Sequence, residues 1–164
     1  MLPQVAELFA DWQRARQRIV ELVEQLDDRA WARVVTDQGW TVRDVVAHLA
    51  SSDELYVTIL TGVHLGRLTA DDARRFDLYG YNETQRAARA GRPRADLLTD
   101  LDYARARLEE ALDQLTEEDL RTPFYRPPDR PGRLPPGEMT VLEMLQGWHH
   151  DREHLEQLQA ALRA

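Results

Sequence analysis

His150 and His154 sit four residues apart in Trp148-His149-His150-Asp151-Arg152-Glu153-His154, and His48 lies far upstream in Val45-Val46-Ala47-His48-Leu49. Two imidazoles at i and i+4 stack on one helical face, and a third from a neighbouring helix completes a three-nitrogen site for one ion. Imidazoles without a thiolate suit zinc, nickel, iron or manganese, and three protein ligands leave coordination positions open for chemistry. Such an ion brings water toward a pKa of about 7, or ionises a low-molecular-weight thiol. An imidazolium inside a helical core would cost several kcal/mol, so inward histidines are neutral and hydrogen-bonded, or hold a cation. One core histidine alone points to the hydrogen bond; three together favour the cation.

These side chains need helices to carry them. Val5, Leu8, Phe9, Trp12, Ile19, Leu22, Val23 and Leu26 recur at three- and four-residue steps, which predicts a first helix over Val5 to Leu26. Thr41, with Asp44 three residues on, caps a second helix from about Val42 to Leu60 that stops at Gly62. Leucines 97, 98, 101, 108, 112 and 115 share a face of a third helix, Ala95 to Leu115. Thr140 and Glu143 form a capping-box pair for a fourth, running from Val141 to Leu162.

Between the second and third helices, Leu65 to Arg92 reads as a partly helical crossover, with a turn at Asp71-Asp72 and a helix over Asn82 to Ala90. Six of the eight prolines lie between Pro123 and Pro136, which predicts an arm or loop without regular helix or central strand. No strand alternation stands out. The expected fold is therefore all-α: a four-helix bundle, one domain over residues 1–164, with a long crossover and a Pro-rich loop before the last helix.

Helical-wheel placement at about 100° per residue puts His48 on the inward arc with Val45, Leu55 and Ile59, and puts His150 and His154 about 40° apart at the border of an apolar arc. His149 falls on the opposite flank and His64 lies exposed beyond Gly62. Asp44, one turn before His48, and Gln157, three residues after His154, are spaced to orient the imidazoles. Trp40, Tyr56, Trp148 and Arg152 are candidates to line a pocket, Arg152 offering a fork for a carboxylate. Ser51-Ser52-Asp53 contains triad residue types but lies on one helix, where nucleophile–base–orienter geometry is unreachable. The acidic residues from 109 to 119 read as a solvated helix end.

Composition narrows the classes. A net charge of −8 repels a phosphate backbone and argues against nucleic acid as partner. There is no cysteine, and all 21 basic residues are arginine, so thiolate metal sites, an intrinsic thiol nucleophile and Schiff-base chemistry are excluded. With 43% hydrophobic residues, no apolar run near the roughly 18 that span a membrane, and no leader pattern, a cytoplasmic protein is expected.

Gly39-Trp40-Thr41-Val42-Arg43-Asp44-Val45-Val46-Ala47-His48-Leu49 and His150-x-x-x-His154-x-x-Gln157 together resemble the DinB-like superfamily of four-helix bundles, which includes thiol-dependent maleylpyruvate isomerase and bacillithiol transferase branches. The resemblance implies a divalent metal, often zinc or nickel, on His48, His150 and His154, and a bundle that commonly forms homodimers. It also implies an enzyme that activates water or a low-molecular-weight thiol against a small electrophile, in detoxification or stress response. The alternative is a resistance protein of the same fold that sequesters a small molecule and needs no metal.

Overall fold

The computed structural model describes residues 1–126 and 137–163. The chain runs α1 (Pro3–Glu24), α2 (Asp28–Trp31), α3 (Val42–His64), α4 (Ala70–Arg74), α5 (Leu78–Arg89), α6 (Arg94–Asp113), α7 (Glu117–Arg121), β1 (Pro123–Arg126), β2 (Gly137–Thr140), α8 (Val141–Gln146) and α9 (His150–Arg163). The four long helices α1, α3, α6 and α9 form the bundle, with α3 packed most closely on α6 and α1 on α9. Among the described residues no helix is long and apolar enough to cross a membrane.

Local chemistry fixes the starts. Thr41, Thr69, Thr116 and Thr140 each accept a hydrogen bond from the N3 backbone amide, while Asp44, Asp72, Asp119 and Glu143 accept one back from the Thr amide. Each box satisfies two amide donors that the first helical turn leaves without partners. In α3 this sets where the helix begins, and so sets the face on which His48 emerges seven residues after Thr41.

Four expectations need correcting. Gly62 does not end the second helix; α3 continues to His64, and the left-handed residue is Gly66, at φ +63°. Gly62 instead allows a close approach, since a Cβ there would lie 2.9 Å from the Cβ of Leu68. The fourth helix is two: Gly147 closes α8, and α9 restarts at His150. The flanks of the Pro-rich segment pair as an antiparallel ribbon, Pro123 opposite Thr140 and Arg126 opposite Gly137. Both strands are edges, where proline's missing N–H is tolerated; residues 127–136 lie outside the described residues. In the crossover, the helix expected from Asn82 begins a turn earlier, at Leu78, because Asp77 caps it by accepting from the Gly80 amide.

The core is not continuous. One apolar cluster holds Val5, Phe9, Trp12, Leu60, Leu108, Leu112 and Leu145, and a second holds Ile19, Val23, Val45, Leu49, Leu101, Leu155 and Leu158. Between them, each long helix contributes one buried charge: Arg16 from α1, Asp53 from α3, Arg105 from α6 and Asp151 from α9. Arg16 donates to Asp151 (2.7 Å) and Asp53 (3.1 Å), and Arg105 donates to Asp53 (3.0 Å) and Asp151 (2.5 Å), closing a ring of alternating sign. Burial pushes the Asp53 carboxyl up against the pull of the two arginines. For Asp151 burial acts the same way, but the arginines outweigh it and hold the carboxyl below its ordinary range. Burial works against the Arg16 charge too, yet both aspartates hold its guanidinium above the usual value.

Candidate metal centre

His48 leaves the second turn of α3 toward α9, while His150 opens α9 and His154 follows one turn later. The three rings meet edge to face: centroids are 4.8 Å apart for His48 and His150, 5.2 Å for His48 and His154, and 4.6 Å for His150 and His154. One nitrogen from each lies within 4.8 Å of the others. His48 and His154 are buried and His150 is partly so.

The donor set fits a divalent cation. Nε2 of His48 and Nε2 of His150 stand 2.8 Å apart, a separation at which two lone pairs repel unless one nitrogen carries a proton toward the other or both bind one cation set off the line that joins them. His154 Nδ1 is 3.0 Å from Oε1 of Gln157. An amide oxygen only accepts, so Nδ1 carries the proton and Nε2 presents its lone pair to the cluster. Gln157 thus stands where orientation of His154 was expected.

The other candidates divide. Trp40 packs its ring 5.0 Å from His48 and donates its indole N–H to Glu83 of α5 at 3.2 Å, so it walls the site and ties the crossover helix to it. Trp148 lies 6.3 Å from His150 and stacks on Tyr56, with centroids 3.5 Å apart and planes 15° from parallel. Asp44 is committed elsewhere: its Oδ2 accepts from both the amide and the hydroxyl of Thr41. Arg152 is placed away from the cluster. Two residues beyond His150 on a helix, it points about 200° away, and its half-exposed guanidinium pairs with Asp11 at 2.7 Å.

His149 is exposed and stays out of the cluster. His64 is exposed as expected, yet its Nδ1 lies 3.0 Å from Oδ2 of Asp119. Asp119 is the exception in the acidic stretch, being buried, whereas Glu109, Glu110, Asp113, Glu117 and Glu118 face solvent. Sequence reasoning missed the ion ring beside the site. The signal was present: Arg16 falls four after Trp12 and three before Ile19, and Asp151 three after Trp148 and four before Leu155, all on apolar faces.

A family profile matches residues 12–153, taking in His48 and His150 and stopping one residue short of His154. The chain belongs to the mycothiol maleylpyruvate isomerase N-terminal domain family. That family falls within the DinB/YfiT-like superfamily, in agreement with the resemblance carried by the two histidine segments. Among solved structures the chain is similar to YfiT from Bacillus subtilis, described as a probable metal-dependent hydrolase with an unusual four-helix bundle topology. The TM-score is 0.73 at 21% sequence identity, over 99% of this chain and 88% of YfiT, which shows a shared fold. No curated protein matches the sequence significantly.

Proposed function

We propose that this mycothiol maleylpyruvate isomerase-type domain is a metal-dependent enzyme, in which His48, His150 and His154 hold a divalent cation, zinc or nickel foremost, that activates water or a low-molecular-weight thiol against a small electrophile. The observation that carries the reading is the convergence of three imidazole nitrogens from two helices within 4.8 Å, with Oε1 of Gln157 lying 3.0 Å from Nδ1 of one of them. When bound, the cation supplies Lewis acidity that lets an O–H or S–H group ionise near neutral pH.

The chain's own residues prepare that site. Three neutral imidazoles leave the full positive charge of the ion uncompensated, which favours an anionic nucleophile. Asp151, next in sequence to His150, does not offset it, because Arg16 and Arg105 already neutralise that carboxylate. Trp40 and Trp148, the latter stacked on Tyr56, present aromatic surface beside the cluster. With no cysteine in the sequence, a sulfur nucleophile has to arrive as a second molecule. The family is named for a mycothiol-linked isomerase and YfiT is described as a hydrolase. Thiol and water activation ask the same thing of this site, so both names support the reading.

Element analysis of protein purified without an affinity tag tests it, followed by the His48→Ala and His154→Ala variants. Near-stoichiometric metal in the wild type and its loss from both variants is the expected result. Full retention of metal in both variants overturns the assignment.

A further inference from the structure

We propose that the buried ring of Arg16, Asp53, Arg105 and Asp151 is a positioning device for the histidine cluster, holding α3 and α9 in the register at which His48 meets His150 and His154. The inference rests on the metal reading above. Its starting point is that the two ligand-bearing helices pack only sparsely on each other, while α3 packs mainly on α6 and α9 mainly on α1. The cluster therefore spans one of the weakest direct interfaces in the bundle, and something else must set the relative slide and rotation of these helices.

The ring is built to do that. Its two carboxylates come from the ligand helices, Asp53 five residues after His48 and Asp151 immediately after His150. Its two guanidiniums come from α1 and α6, which carry no ligand, and each bridges both carboxylates. A planar fork fixes direction as well as distance, which interdigitated leucines and valines do not. Asp151 also lies in the first turn of α9, where the chain restarts after the break at Gly147, so the ring anchors the turn that presents His150.

Stability alone does not account for the arrangement. Ion pairs taken fully out of water gain little over well-packed apolar side chains, and their best-attested use is to specify register.

The test separates metal affinity from stability. The fourfold variant Arg16→Met, Asp53→Val, Arg105→Met, Asp151→Val and the single variant Arg105→Lys are titrated with Co2+, reading both affinity and the visible ligand-field bands, and their metal-free thermal midpoints are recorded. The fourfold variant is expected to unfold no more easily than wild type while Co2+ affinity falls about 10–100-fold, with altered bands. Arg105→Lys keeps the charge but loses the double bridge, and is expected to lose roughly tenfold in affinity, so it decides the matter if the fourfold variant does not fold. Wild-type affinity and bands in a folded variant overturn the positioning role and leave the metal reading intact. Wild-type protein that binds no Co2+, or His154→Ala that binds as well as wild type, overturns the metal reading and this inference with it.

Discussion

Replacing Asp53 with alanine removes one corner of a closed charge ring from a position with no solvent exposure. The carboxylate accepts from Arg16 at 3.1 and 3.4 Å and from Arg105 at 3.0 and 3.3 Å, so two contacts have good geometry and two are marginal. Without it, Asp151 alone faces two guanidiniums, and the core carries one uncompensated positive charge. Breaking a buried ion pair in this way costs about 3–5 kcal/mol. Two good charge-assisted hydrogen bonds at about 1.5–3 kcal/mol each give a similar range. At about 2–4 °C per kcal/mol for a chain of this size, a loss near 4 kcal/mol lowers the melting temperature by roughly 8–16 °C. Calorimetry and urea titration followed by far-ultraviolet circular dichroism, both in chelator, measure it. Arg105→Met placed on the Asp53→Ala background is expected to restore part of the loss, because Arg16 and Asp151 then balance one to one. A destabilisation below about 1 kcal/mol, the size of an exposed pair, would refute the reasoning, since it would mean the guanidiniums reach water when Asp53 is gone.

Gln157→Ala frees His154 to adopt either tautomer, and its metal affinity is expected to fall about 10–100-fold with little change in helix content; equal affinity by competition with a chromogenic chelator counts against the orienting role. The His64–Asp119 pair should show in acid. Burial pushes the Asp119 carboxyl up, but hydrogen bonds from His64 and Thr116 outweigh it and hold the group below its ordinary range. A depressed folded pKa means that the stabilisation is complete above the unfolded value of about 3.9 and disappears as pH falls through the folded one. Asp119→Asn is therefore less stable than wild type at neutral pH, and the gap closes as pH falls below the unfolded value and through the depressed folded one; a gap unchanged on acidification would trace the loss to packing instead.

The four bundle helices and the histidine cluster were legible because both rest on local periodicity. Apolar residues at three- and four-residue steps mark a helix wherever it sits, and His150 and His154 share a face by spacing alone. His48 needed only its place on the inward arc of α3. What escaped depends on contacts distant in sequence. Arg16 and Arg105 are two of 21 arginines, and the expectation that charge faces solvent hides them until their apolar neighbours are weighed. Gly147 interrupts a pattern that is otherwise helical on both sides, so α8 and α9 read as one. The β1–β2 ribbon forms between segments that each look like irregular flanks of a proline run, and only their antiparallel pairing reveals strands.

The division of the core into two apolar compartments limits how this protein can change. A void left by shortening Leu108 can be filled by a larger side chain at Leu112 or Leu145, which share its compartment. The same enlargement at Leu101, one helical step beyond Arg105, meets only the other compartment and adds crowding without repairing the void. Compensating substitutions should therefore arise in pairs within one half of the bundle, and each half can drift in composition independently while the charged layer between them stays fixed.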